Sequence, residues 1–276
     1  MKKLLILSIA LLSIGVSAQK KAKIKGNREV LIKKFTIPKF TAIEIGEKFE
    51  VALQKTTDTT RVVIETDDNL FDVIHFSVEN EVLKFYTSMD IVKKKRLRIT
   101  VFVPENFHKI KLTEKGKVYN EEVLNLKSLY IEAIEKSQAD LWLNIQQTLQ
   151  IEATDKSQIK IDATTSAATI HLTENAELKG KLSVKDAGID LDDHAYCKLE
   201  GAAKQLKLSV QTKAEYESTK FEVKEAVLTA SEKTKVKINV SNSVVLKLSN
   251  ESETTLLGNA KINLKTFKDN AALFKK

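Results

Sequence analysis

The chain is short of the residues that punctuate or cross-link a fold: one cysteine, two prolines, eight glycines and one tryptophan in 276 residues. A single cysteine, Cys197, excludes an intrachain disulfide, and no cysteine follows the N-terminal apolar run where a lipid-anchored bacterial protein would carry one. Arginine is also scarce (Arg28, Arg61, Arg96, Arg98), and the lysines are spread along the chain. The formal charge of +8 therefore does not read as a nucleic-acid surface, which concentrates arginine. No segment approaches the roughly 20 apolar residues of a membrane span, so the mature chain is expected to be soluble, without a transmembrane segment.

The first eighteen residues have the form of an export signal: Lys2 and Lys3, an apolar run from Leu4 to Leu12, and the small residues Val16-Ser17-Ala18 at the cleavage point. The expected location is periplasmic, outer-membrane-associated or extracellular. Few glycines and prolines would suit long helices, but the local pattern does not. "FEVALQ" (Phe49 to Gln54), "RVVIET" (Arg61 to Thr66), "LRITVFV" (Leu97 to Val103) and "KVKINV" (Lys235 to Val240) alternate apolar with polar residues and favour β-branched or aromatic ones. That period of two is the mark of strands, so the fold class is all-β.

A repeat organises most of the chain. "YIEAIEKSQADLWL" (Tyr130 to Leu143) is echoed by "QIEATDKSQIKIDA" (Gln150 to Ala163). With the small residue of Lys-Ser-Gln as a zero point, further units centre on Gly116, Ser137, Ser157, Ala176, Ala195, Ala214, Thr234 and Ser252, spaced by 18 to 21 residues. Six positions earlier stand Ile110, Ile131, Ile151, Ile170, Ile189, Leu208, Leu228 and Leu246, all Ile or Leu. Positions −6, −4, 0 and +2 share one parity and point to one side, with a corner between −4 and 0. Two short strands cannot bury that side alone, whereas stacked units bury a continuous core. The expected architecture is a right-handed parallel β-helix, or β-solenoid, of about eight coils forming a rod roughly 35 to 40 Å long.

Two charged columns precede each corner: acidic residues at −2 (Glu114, Glu135, Asp155, Glu174, Asp193, Glu232) and lysines at −1 (Lys115, Lys136, Lys156, Lys213, Lys233). Adjacent ladders of opposite sign are expected to compensate each other on a solvated edge that resists lateral pairing, rather than to bind cations or polyanions. The domain reading is a signal at 1–18, a basic mobile segment at 19–34, an N-terminal β cap at 35–104 with a hairpin turn around Asn80, solenoid repeats at 105–264, and a C-terminal tail or cap at 265–276.

The segments "FTAIEIGEKFEVALQK" (Phe40 to Lys55), "VVIETDDNLFDVIHFSVENEVLKFYT" (Val62 to Thr87) and "LRITVFVPENFHKIKL" (Leu97 to Leu112), followed by solenoid repeats, resemble the putative auto-transporter adhesin head GIN domain family of bacterial envelopes. The resemblance covers nearly all of the mature chain and implies surface adhesion or an envelope-associated interaction. Relatives often carry Gly-Ser-Gly at the corner, where this chain has Glu-Lys-Ser or Asp-Lys-Ser. The missing glycine implies either a less strained corner or altered geometry in some coils.

No residue pattern announces catalysis. The four histidines (His75, His108, His171, His194) lack a nucleophile motif nearby, and Cys197 falls in the apolar +2 column as a core residue. "DLDDHAY" (Asp190 to Tyr196) gathers carboxylates and a histidine whose parities do not converge, so no metal site is expected there. Glu132 and Glu152, both at −5, would stack at one coil spacing and so meet the distance that glycoside hydrolysis needs, but ordinary solvated faces give the same pairing. The speculative binding surface is Glu132, Glu152, Trp142, Lys136 and Lys156, with no catalytic residue, cofactor or metal assigned. The expected function is a non-enzymatic exported adhesin or envelope interaction protein whose outer sheet face meets a polysaccharide or an envelope or host protein. The alternatives are a polysaccharide lyase or glycoside hydrolase on the same scaffold and a structural periplasmic spacer.

Overall fold

The computed structural model describes residues 21–56 and 58–276; the expected export signal at 1–18 lies outside them. Strands dominate, with one 3-10 turn at Asp68–Leu70. From Leu129 onward the chain winds through parallel coils in which each residue pairs with its counterpart one repeat on: Ile131 with Ile151, Ile151 with Ile170, Ile170 with Ile189, Ile189 with Leu208. The long strands Gln138–Ala153, Gln158–Leu172, Glu177–Leu191, Tyr196–Val210, Glu215–Ala230 and Lys235–Leu248 bend around the rod, and only the Lys-Ser corner interrupts each turn. Columns −6, −4, 0 and +2 are buried throughout, Cys197 and Tyr216 included, so the pleat parity read from the sequence is the core parity.

The count is nine coils, one more than the repeat search finds. Ala42–Ile45 pairs in parallel with Lys109–Leu112, and Glu50–Lys55 with Lys117–Asn120. Ile43, Ile45 and Val51 thus continue the core columns, and Phe49 takes the zero point. Residues 56–108 are an excursion from the rod that folds back beneath this first coil. Leu97–Val103 pairs parallel with Glu50–Lys55, and Val82–Thr87 pairs parallel with Ala42–Ile45. Arg61–Asp67 lies antiparallel to Leu97–Val103 and to Val30–Thr36, and Ile74–Glu79 forms a hairpin with Val82–Thr87. Asn80 and Glu81, both at positive φ, make the hairpin turn. Within the segment expected to be mobile, Lys23–Lys25 forms a strand on Asp90–Lys93, and Val30–Thr36 a strand on Arg61–Asp67.

At the other end, Lys261–Phe267 and Ala272–Lys275 add a further partial coil on the ninth, so the tail continues the rod. Ile262, Leu264 and Phe267 register with the core residues Val244, Leu246 and Leu248 but stay exposed because nothing among the described residues stacks on them.

The corners are left-handed without glycine. Glu47, Glu114, Glu135 and Asp155 each have φ between 52° and 63°. From Glu174 on, both corner residues are left-handed, as in Thr212 and Lys213 (47° and 64°) or Glu232 and Lys233 (66° and 61°). The main-chain bonds record the same change. The Lys136 and Lys156 N–H groups donate backwards to Glu114 and Glu135, whereas the Asn175, His194 and Lys213 N–H groups donate forwards to Asp193, Thr212 and Glu232. The peptide between the two corner residues is flipped between the fourth and fifth coils, which is the difference between the sign patterns of type II′ and type I′ turns. The corners are therefore strained, and coils differ in corner geometry. A left-handed L-residue costs roughly 1 kcal/mol or more, offset in part by the extra freedom glycine has when unfolded. Lys213→Gly is expected to stabilise by about 0.5 to 1 kcal/mol, read as a rise of roughly 1 to 4 °C in melting temperature.

Candidate functional site

The coils offer outer faces on which side chains recur in rows. On the face formed by positions −7 and −5, Glu132 sits between two lysines, 3.2 Å from Lys109 Nζ and 3.5 Å from Lys111 Nζ. Glu152, in register with Glu132, accepts hydrogen bonds from Tyr130 Oη (2.7 Å) and Gln150 Nε2 (2.8 Å). Its pKa lies below the ordinary carboxylate value because the Tyr130 hydroxyl bonds the charged form, with Gln150, His171 and Lys109 adding to this against the opposing effect of burial. Glu152 is thus ionised at neutral pH and has no proton to give to a leaving group. His171 continues the row and approaches Asp190 Oδ2 at 3.4 Å.

The face formed by positions +1 and +3 repeats the arrangement. Glu217 accepts from Tyr196 Oη at 3.0 Å and from Lys237 Nζ at 3.1 Å, and Lys179 lies over the Tyr196 ring. Burial and the neighbouring carboxylate push the Tyr196 hydroxyl up to about 12. Both faces hold their tyrosines and carboxylates by bonds that cross between coils.

The five residues of the expected binding surface do not converge. Glu132 and Glu152 share one face. Trp142, 47% exposed, belongs to a separate run of the coil in register with Asp162. Its backbone is clamped by Asn120, a buried side chain that accepts the Trp142 N–H and donates to the Trp142 carbonyl, each at 2.8 Å. Lys136 and Lys156 stand on the corner edge, where Lys136 faces a groove shared with Lys21, Lys48, Lys94 and Lys115. Repeat spacing leaves Lys48 out of the −1 column because its coil is separated from the next by the 56–108 excursion. The signal that places it there is Ile43, Ile45 and Val51 in the −6, −4 and +2 columns of a zero point at Phe49.

The remaining candidates separate likewise. Asp190 meets His171, whereas Asp193 meets His194 at 2.9 Å, and Asp192 caps the Asp193 N–H. His75 stacks on Tyr86 with Nε2 3.2 Å from Ser88 Oγ, but no carboxylate orients its other nitrogen among the described residues. Burial pushes the Cys197 thiol up, as befits a packed core residue. Among the described residues no group of three or more metal-ligating side chains comes together, and no helix is long and apolar enough to cross a membrane.

These features define a class: an all-β repeat protein, a parallel solenoid of about nine coils with hydrogen-bonded rows on its outer faces. The chain belongs to the family described as "Putative auto-transporter adhesin, head GIN domain", whose model matches residues 39–181 and 147–260. The fold is similar to that of a putative adhesin from Parabacteroides merdae (15% identity, TM-score 0.63, covering 92% of this chain and 99% of that one). It is also similar to a putative adhesin from Parabacteroides distasonis (12%, 0.57, 92% and 100%) and to a putative lipid binding protein from the same species (12%, 0.63, 92% and 99%). At these identities the likeness concerns the fold. No curated protein is significantly similar in sequence.

Proposed function

We propose that this protein is exported and works as a non-enzymatic adhesin or envelope interaction protein, presenting an outer sheet face to a polysaccharide or protein partner. The observation that carries this reading is the row of cross-coil contacts on each face. Tyr130 to Glu152 and Tyr196 to Glu217 fix aromatic and charged groups at coil spacing on a rigid rod, so little side-chain freedom remains to be lost on binding. Family membership supports the same reading. The enzyme alternative is weakened because Glu132 is ion-paired to two lysines and Glu152 is held ionised by the Tyr130 hydroxyl, so Glu152 cannot serve as the proton donor.

The purified protein should be tested against a panel of envelope polysaccharides, matrix proteins and isolated envelope fractions. Binding is expected, weakened at least tenfold by Tyr130→Ala or by Tyr196→Ala, according to which face is used, with the melting temperature kept within a few degrees. Failure to bind any member of the panel would sink the adhesion reading. Sugar release that disappears in Glu152→Gln would replace it with the enzyme.

A further inference from the structure

Where the excursion 56–108 returns to the rod, the short parallel pair Lys23–Lys25 and Asp90–Lys93 stands beside the corner edge of the first three coils. Between them lies a groove of about 670 Å³, within the range of small-ligand sites. Its apolar floor is Phe49, Ile91 and Leu97, the latter two partly exposed to it. Lysines stand around that floor. Lys48, Lys115 and Lys136 are successive rungs of the −1 ladder, held at coil spacing by main-chain bonds from Lys115 to Glu47 and from Lys136 to Glu114. Lys94 comes from the excursion. Among the described residues none of these four ammonium groups has an ion-pair partner within 4 Å.

The acids of the groove are differently occupied. Glu47 is used internally: Lys21 Nζ (2.7 Å) and Thr87 Oγ1 (2.6 Å) both bond its carboxylate, and the Thr87 N–H adds a third contact at 3.3 Å. Asp90, Glu114 and Glu135 line the rim, without ion pairs among the described residues. Burial pushes the Lys94 ammonium below the ordinary lysine value; Glu50, already 3.0 Å from Lys117, opposes this, and Lys48 adds to it. Lys48 and Lys94 are exposed and unpaired among the described residues and stand beside the apolar floor, so an anion carrying an apolar stem can meet both lysines and the floor at once.

We infer that this groove binds an anionic amphiphile, its phosphate or carboxylate between Lys48 and Lys94 and its apolar stem on Ile91 and Leu97. The two sources of that chemistry are the headgroup and chain of a lipid and a free organic anion. The site is apart from the sheet faces, so it stands or falls independently of adhesion through them.

Calorimetric titration of the purified protein at low salt, with decyl phosphate below its micelle concentration, inorganic phosphate and decyl maltoside, tests the inference. Decyl phosphate is expected to bind one to one, at least tenfold tighter than either of the others. The double variant Lys48→Gln/Lys94→Gln should lose at least tenfold in affinity, and Ile91→Ser should weaken decyl phosphate while leaving inorganic phosphate unchanged. Because all three positions are partly or fully exposed, the melting curve should hold; Trp142→Ala should bind decyl phosphate normally. Vesicles carrying phosphatidylglycerol would compete if the source is a lipid, and a water-soluble octyl carboxylate alone would compete if it is a free anion. Equal affinity for inorganic phosphate, or undiminished binding by the double lysine variant, would overturn the inference.

Discussion

Gly180→Ala is expected to destabilise the protein by at least about 3 kcal/mol, seen as a large fall in the urea midpoint with the break between the fourth and fifth coils. Gly180 has φ of +142°, a conformation that L-residues rarely adopt, and a Cβ there would lie 1.8 Å from the Ile161 carbonyl oxygen. The obstacle is main chain, part of the ladder that joins the two coils, so it cannot swing aside as a flexible side chain could. Gly180 pairs with Ile161 on one side and Leu199 on the other, within a run whose other members, such as Leu141, Ile161 and Leu199, fill the core. In a rod held by nearest-neighbour interfaces, a defect at one interface is not spread over the whole molecule. Gly188→Ala is the internal control: no atom lies within 4 Å of its added Cβ, and the change should be neutral or stabilising by a few tenths of a kcal/mol. Equal midpoints for the two variants would contradict this account.

Asp67→Ala is expected to cost about 3 kcal/mol and to remove part of the acid sensitivity of the N-terminal excursion. The carboxylate is buried and accepts main-chain N–H bonds from Lys95 (3.0 Å), Arg96 (3.2 Å) and Arg28 (3.3 Å), so it ties the end of strand Arg61–Asp67 to two loops. Burial by itself would raise its pKa, but the donors from Lys95, Arg96 and Arg28 together with the Lys95 charge hold it below the ordinary value. A carboxylate with a lowered folded-state pKa contributes stability that is fully present above its unfolded value near 4 and is lost as the pH falls through the folded value. The difference in melting temperature between wild type and Asp67→Ala should therefore be constant above pH about 5 and shrink as the pH falls below about 4. A difference that stays constant down to pH 2.5 would place the stabilisation elsewhere.

The Ile or Leu at −6 and the small residue at 0 are written into each repeat, because a coil that failed to bury them would lose its contact with both neighbours. Ile110, Ile131 and Ile151 could thus be assigned to the core from spacing alone. Coil one could not be found by spacing, because the excursion 56–108 separates Phe49 from the next zero point and spacing is what the search follows. The corner was read only in part. The sequence shows that glycine is missing, but the left-handed backbone and the flip after Asp155 depend on which neighbouring carbonyl each N–H meets, and that is a property of the stacked coils.

The candidate surface shows the same division. Row membership of Glu132 and Glu152 followed from the repeat, whereas the ion pairs of Glu132 with Lys109 and Lys111 and the hydrogen bond from Tyr130 to Glu152 followed from side-chain reach between coils. By itself the sequence determined an all-β solenoid, its core columns and its charged corner edge, since a period of about 20 residues with fixed parity leaves one way to bury the apolar side. Only the tertiary structure decided which charges stay unpaired. Lys48 and Lys94 are brought to one groove because the excursion that follows the first coil folds back beneath it, and no local pattern encodes where its end comes to rest.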